Sequence, residues 1–331
     1  MQDTGGERPF FDGKSILVTG GTGSFGKKIV AKLLTETKAR KVIVFSRDEL
    51  KQYEMQQRYR GETRIRFFIG DVRDYERLFR AFDGVDYVIH AAALKQVPAA
   101  EYNPFEAVKT NINGAQNIIE AAINQRVDRV IALSTDKACA PINLYGATKL
   151  VSDKLFIAGN AYSGAHRTRF AVVRYGNVVG SRGSVVPLFK ELAAKGNLPI
   201  TDPRMTRFWI TLDQGVEFVM ASLERMHGGE LFVPKIPSTK VLDLAKAIAP
   251  DCEIDVVGIR PGEKLHEEMI TVHDSRRTID MGTYYVVQPE MEWWAGEPAD
   301  GCPVPDGFHY SSDKNEQWLT ADELREMVEN V

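Results

Sequence analysis

Short, largely apolar runs alternate with longer stretches of helical period through the first half of the chain. The runs at 15–19, 41–45, 65–69, 87–90, 129–133 and 169–175 show little polar alternation, as expected of strands buried on both faces of a parallel sheet. Between them, Ile29, Val30, Leu33 and Leu34 share one helical face, and Leu78 and Phe79 mark another helix that Asp74 is placed to cap. Residues 107–124 read as one further helix carrying Asn111, Asn113 and Asn117. Asparagine suits a helix poorly, so Asn113 is expected to bond backbone beneath a pocket. The alternation, with no internal repeat, predicts an α/β fold: a Rossmann-type doubly wound parallel sheet.

Beyond Gly176 the pattern changes. A glycine- and serine-rich loop, 176–184, precedes an apolar run at 185–189. A helix over 211–226, a returning strand at 231–233, a helix at 241–248 with Ser238 as N-cap, and a strand at 253–257 follow. These predict a smaller, discontinuous α/β substrate-binding lobe over about 177–206 and 236–331. The dinucleotide-binding domain then takes 14–176 and about 207–235, after a polar lead at 1–13. Trp293, Trp294 and Trp318 read as lobe packing, and a short helix closes the chain near Glu323.

The 331 residues leave room for one large α/β domain with an appended lobe. A net charge of -3, without cationic runs, implies neither a nucleic-acid partner nor an anionic membrane. The three cysteines form no C-x-x-C pair, and no apolar window approaches the roughly 18 residues of a membrane span. A soluble cytoplasmic enzyme is expected. His266-Glu267 lacks the second histidine of a zinc helix, because position 270 is Ile270, so no metal site is expected.

The first run leads directly into Gly20, Gly21, Thr22, Gly23, Ser24, Phe25 and Gly26. Strand, glycine turn and helix together are the context of a dinucleotide pyrophosphate site. At the tip of the second run stand Ser46 and Arg47, whose hydroxyl and guanidinium suit the 2′-phosphate of NADP. Asp48 or Glu49 can instead reach a ribose, or open the next helix at its positive end. Asp71 and Val72 follow the third run at the adenine position, while Ala91 and Ala93 after the fourth let backbone approach a cofactor. Lys95 on the next loop can reach a phosphate or substrate.

The fifth run opens into Ser134, Thr135, Asp136 and Lys137, and the following helix starts with Tyr145 and Lys149 on one face. A lysine one turn from a tyrosine favours the phenolate, so Tyr145 is expected to accept a proton. A lone Y-x-x-x-K is usually a solvated helix face; the cofactor fingerprint upstream makes it a site. An acid and an amine on the adjoining loop add elimination to redox chemistry in one pocket.

Together these blocks resemble the extended short-chain dehydrogenase/reductases that act on nucleotide sugars. Where the dehydratases that retain C5 configuration carry Thr-Asp-Glu, this chain has Thr135-Asp136-Lys137. With the glycine turn, the block from Ser46 to Lys51, and Tyr145-Gly-Ala-Thr-Lys149, it is similar to the inverting UDP-N-acetylglucosamine 4,6-dehydratases, over about residues 14–263. The resemblance implies hydride removal at C4 with Tyr145 as base, water loss with Lys137 as C5 base and Asp136 as acid, and hydride return to C6. It adds Lys51 to the NADP contacts and implies that Lys95, Asn177, Arg182, Val185, Thr201, Arg207, Arg260 and Glu263 hold the UDP-sugar. It further implies a homo-oligomer, hexamers included, at the first step of pseudaminic acid biosynthesis. A C5-retaining dehydratase, a UDP-sugar 4-epimerase and a non-catalytic NADP sensor are the rivals. As a base near neutral pH, Lys137 needs a pocket that disfavours its ammonium by about 3.5–5 kcal/mol.

Overall fold

The computed structural model describes residues 8–180, 185–291, 294 and 300–329. The six apolar runs form β1 (Ser15–Thr19), β2 (Lys41–Ser46), β3 (Ile65–Ile69), β4 (Tyr87–His90), β5 (Arg129–Thr135) and β6 (Arg169–Tyr175). They pair in parallel in the order β3-β2-β1-β4-β5-β6. The order reverses between β1 and β4, and the crevice beyond their carboxyl ends is where such sheets bind ligands. Every residue of β1 and β4 is buried, which is why these runs carry no polar face.

Helices α1 (Ser24–Glu36), α2 (Glu49–Arg58) and α3 (Tyr75–Ala81) follow β1, β2 and β3. Asp48 and Asp74 cap α2 and α3, accepting from the backbone N–H of Lys51 and Arg77. After β4 come α4 (Val97–Tyr102), α5 (Pro104–Val108), α6 (Gly114–Asn124) and then, beyond β5, α7 (Leu144–Tyr162). The single helix expected over 107–124 is therefore divided. A π-turn at Lys109–Asn113 separates α5 from α6, and such a widened turn changes which side chains point inward. Asn111, not Asn113, faces the interior. Its amide donates to the Leu94 carbonyl (2.9 Å) and to Thr148 Oγ1 (3.0 Å), and accepts from the Leu94 N–H (2.9 Å). Asn113 is exposed.

The rest of the chain forms β7 (Asn177–Val178), α8 (Val185–Ala193), β8 (Asn197–Ile200), β9 (Thr206–Ile210), α9 (Leu212–Arg225), β10 (Leu231–Pro234), β11 (Ser238–Lys240), α10 (Val241–Ile248) and β12 (Glu253–Val256). It ends with β13 (Glu268–Ile270), β14 (Thr278–Asp280), β15 (Tyr284–Val287), β16 (Cys302–Pro303), β17 (Tyr310–Ser311) and α11 (Ala321–Glu329). Strand β10 returns parallel to β6, and β15, β14 and β16 continue antiparallel beyond it to complete ten strands. Segments expected in the second lobe thus belong to the main sheet, where buried Tyr285, Val286 and Val287 cover the edge of β10. Ser238 is not the cap of α10. It lies in β11 and accepts from the Asn315 amide, while Lys240 stands at the N-cap without a side-chain bond.

The smaller lobe is built on the sheets β7-β9-β11, β8-β12 and β13-β17. One of its cores gathers Phe189, Leu198, Ile200, Met205 and Val241, and another packs Trp209 with Val186, Leu244 and Leu324. Trp294 donates to the Gly228 carbonyl and Trp318 to that of Asn315, whereas Trp293 lies outside the described residues. Among the described residues no helix is long and apolar enough to cross a membrane.

One close approach positions the chemistry. Asn143 caps α7 by accepting from the Gly146 N–H (2.8 Å), which brings the first turn of α7 against the loop after β5. A Cβ on Gly146 would collide with the carbonyl oxygen of Lys137. Gly146→Ala should therefore destabilise the fold by about 1–3 kcal/mol, read as a lower urea midpoint. It should also depress activity beyond what its stability loss explains.

Candidate active site

A cleft of about 1430 Å³ runs from the glycine turn, past the carboxyl ends of β4, β5 and β6, to the inner face of the smaller lobe. Gly20, Thr22, Gly23, Ser24, Phe25 and Gly26 line one end. A side chain at Gly26 would run into the backbone of Gly20 and Gly21, so only glycine permits this tight turn. Gly23 is the N-cap of α1 and supplies no capping side chain, so no N-cap side chain competes there with an anion. Ser46, Arg47, Asp48, Lys51, Asp71, Val72, Ala91, Ala93 and Lys95 continue the lining. Asn113 does not line it, in keeping with its exposure.

At the tip of β2 the acids are already engaged. Asp48 accepts from the Lys51 backbone (3.0 Å) and pairs with the Lys51 ammonium, and Asp71 pairs with Arg73 (2.7 Å) and Arg47 (3.5 Å). Ser46 is buried, and its hydroxyl accepts from Gln52 (3.1 Å). Thr135, Lys137, Tyr145 and Lys149 line the middle of the cleft. Asp136 lies immediately beside Lys137 with no exposure at all. Thr135 Oγ1 donates to Asp136 Oδ1 (2.8 Å), Lys137 Nζ donates to the same oxygen (2.9 Å), and a longer bond runs to Asn177 Oδ1 (3.4 Å). Oδ2 of Asp136 is buried without a hydrogen-bond partner.

The electrostatics differ from the expectation in two respects. Burial disfavours the Lys137 ammonium, but Asp136 and Glu267 outweigh burial and the opposing Arg207, so its pKa lies above that of an ordinary lysine. The site alone does not make Lys137 a neutral amine, because two carboxylates face it. For Tyr145, burial pushes the phenol up to about 12; the leading opposing influence is the Lys137 ammonium, and Asp136 adds to the rise. The field acting on the phenol thus comes from the loop lysine rather than from Lys149 one turn along. Lys149 is itself buried and lowered by desolvation, partly offset by Asp153, and partial burial lowers Lys95 as well. His90, behind Lys149, is pushed down to about 3 by burial and by that lysine, so it stays neutral.

On the lobe side, Asn177, Val185, Thr201, Arg207, Arg260 and Glu263 all line the cleft, while Arg182 lies outside the described residues. Arg260 and Glu263 pair with each other (2.7 Å). Arg207 is buried and spends its terminal nitrogens on the carbonyls of Thr206, Leu265 and Lys264. Two ties hold the lobe over the catalytic loop. Asn143 donates to the Gly262 carbonyl (2.7 Å), and Lys264 donates to the Cys139 carbonyl (2.5 Å). Glu267, weighed in the sequence only as half of an absent zinc motif, proves to be a buried acid in the cleft wall. Its position just after the cleft-lining stretch 260–263 was the available signal. Among the described residues no group of His, Cys, Asp and Glu is arranged to hold a metal ion.

Residues 16–289 match the family model described as "Polysaccharide biosynthesis protein". The chain belongs to that family. It is 56% identical over 331 residues to the UDP-N-acetylglucosamine 4,6-dehydratase (inverting) of Campylobacter jejuni, covering 97% of this chain and 99% of that protein. It is 43% identical over 283 residues to the UDP-glucose 4-epimerase of Rickettsia conorii, covering 83% of each. Among solved structures it resembles Pen from Bacillus thuringiensis, with a TM-score of 0.89, 38% identity and coverage of 97% and 98%. At the level of fold it also resembles DesIV, the dTDP-glucose 4,6-dehydratase of Streptomyces venezuelae solved with NAD and TYD, with a TM-score of 0.68, 24% identity and coverage of 76% and 86%.

Replacing Tyr145 with Phe should leave cofactor affinity within about twofold. The same change should slow substrate-dependent nicotinamide reduction by about 10²–10⁴, measured by absorbance in a single turnover.

Proposed function

We propose that this family member is a UDP-N-acetylglucosamine 4,6-dehydratase that inverts C5. Lys137, in the same cleft as Tyr145 and the glycine turn, and Asp136, buried 2.9 Å behind it, carry this reading. A 4-epimerase needs the tyrosine and the cofactor but has no use for an acid–amine pair at this place. The 56% identity to an inverting dehydratase, against 43% to a named epimerase, supports the same choice.

The glycine cradle and the bare N-terminus of α1 fit the pyrophosphate of a nicotinamide dinucleotide. When bound, that cofactor supplies the acceptance of a hydride from C4 of the sugar and its return to C6. We assign NADP, since Arg47 and Lys51 flank the ribose position while Asp48 is occupied in capping α2. Tyr145 removes the O4 proton as C4 is oxidised. The ketone then acidifies the C5 hydrogen.

The ion pair explains how a charged lysine becomes a base. Transfer of one proton from Lys137 Nζ to Asp136 creates an amine and a carboxylic acid together, the two partners that elimination requires. Lys137 then takes the C5 proton, Asp136 gives its proton to the departing C6 hydroxyl, and water leaves. The pair is thereby returned to ammonium and carboxylate, with the proton count balanced. Delivery of a proton to the opposite face of C5 completes inversion. Asn177, Val185, Thr201, Arg207, Arg260 and Glu263 are assigned to the UDP-sugar and Lys95 to a phosphate. The resemblance extends the proposal to a cytoplasmic homo-oligomer at the first step of pseudaminic acid synthesis.

Incubation with UDP-N-acetylglucosamine in deuterated water, followed by NMR, should give a 4-keto-6-deoxy L-arabino product with deuterium at C5. A product of unchanged mass, epimeric at C4, would instead make the chain an epimerase. Arg47→Ala should weaken NADP binding by about 10–100-fold while changing NAD binding little, as titration calorimetry would read.

A further inference from the structure

The cleft wall holds a carboxylate that neither the sequence motifs nor the proposed reaction uses. Glu267 has 3% of its side chain exposed. Its backbone is fixed on both sides by Ser312, whose hydroxyl accepts from the Glu267 N–H (2.9 Å) and whose own N–H donates to the Glu267 carbonyl (2.8 Å). Three cations face the side chain: Lys137 at 3.6 Å, Lys264 at 3.8 Å and Arg207 at 3.9 Å. Arg207 is bound to main-chain carbonyls and Lys264 to that of Cys139. Arg207 also donates to Met205 Sδ (3.0 Å), whereas Lys137 donates to the Asp136 carboxylate and the Asn177 amide oxygen. Oε1 of Glu267 is the oxygen that faces Lys137 and Arg207, while Oε2, toward Lys264, is buried with no hydrogen-bond partner among the described residues.

We propose that Glu267 is a positioning residue for Lys137, holding its ammonium in the cleft while C4 is oxidised and governing when that amine becomes available as the C5 base. The inference rests on the reading of Lys137 as that base. The groups facing Lys137 are Asp136, Glu267, Arg207 and Tyr145. During oxidation the ammonium favours the Tyr145 phenolate, so a charged Lys137 assists the first step. During elimination the same lysine must be neutral. Asp136 enables that change by accepting the proton, and Glu267, which faces the amine, favours its return. Glu267 therefore sets the balance between the two half-reactions.

The test compares kcat against pH for the holoenzyme, Glu267→Gln and Glu267→Asp, with single-turnover nicotinamide reduction followed alongside. Removing a negative charge beside the Asp136–Lys137 pair makes it hold protons less tightly, so the limb of kcat that rises as the doubly protonated pair gives up one proton should move in Glu267→Gln toward lower pH by roughly one pH unit. Nicotinamide reduction should slow in the same variant, because the tyrosine loses part of its cationic support. Glu267→Asp keeps the charge one methylene further away and should fall between the two; it decides the matter alone if the glutamine variant does not fold. A limb superimposable on the parent's, in a folded variant, would overturn the inference and leave Glu267 as packing. Lys137→Arg separates the two readings. If it kept the parent's rate and pH profile, the lysine would not be the base. If it were inactive while the Glu267 limb stayed fixed, only the role of Glu267 would fail.

Discussion

Asp136 is fully buried and Lys137 only a quarter exposed, and they meet on the short loop where the fifth strand gives way to the seventh helix. Placing two charges in so dry a setting is costly unless they stay together. That constraint explains the surrounding architecture. Thr135 turns its hydroxyl onto the carboxylate, Asn177 approaches the amine from β7, and Gly146 lets the helix close on the loop's own backbone. The contact keeps an acid and an amine within one hydrogen bond of each other.

The sheet and the lobe divide the work. The parallel sheet fixes Tyr145, Lys149 and the glycine turn relative to one another through main-chain registers that a single side-chain change leaves intact. The smaller lobe, with less core of its own, brings Arg207, Glu263 and Glu267 to the opposite wall. The tyrosine and the glycine turn thus belong to the main sheet's side of the cleft, while part of the charge around the loop lysine comes from across it.

Local signals were readable in the chain, whereas signals that depend on distant segments were not. Buried strands carry uninterrupted apolar runs, and the glycine turn has one backbone solution, so the positions of β1 to β6 and one wall of the cleft followed from the residues themselves. The antiparallel strands β14 and β15 add an edge to a sheet begun some 260 residues earlier, which no local period announces. Asn111 and Asn113 exchanged roles because a π-turn shifts which side chains face inward, and helical spacing assumes no such turn. The charges around Lys137 were only half visible for a similar reason. Asp136 was visible beside it, but Glu267, 130 residues downstream, reaches the amine only after the lobe folds over.

The ties between the lobe and the catalytic loop have an evolutionary consequence. Asn143 and Lys264 both reach for main-chain oxygens, at Gly262 and Cys139, rather than for side chains. At Cys139 the receiving oxygen is indifferent to the side chain its residue carries, but Gly262 has a φ of 79° and a Cβ there would stand 3.1 Å from Asn143 Cβ, so that fastening favours glycine. Val185 and Thr201 line the cleft and take part in neither tie, so its shape can change there without unhooking the jaw that brings Glu267 to Lys137. A scaffold fastened in this way can alter its fit before its charges.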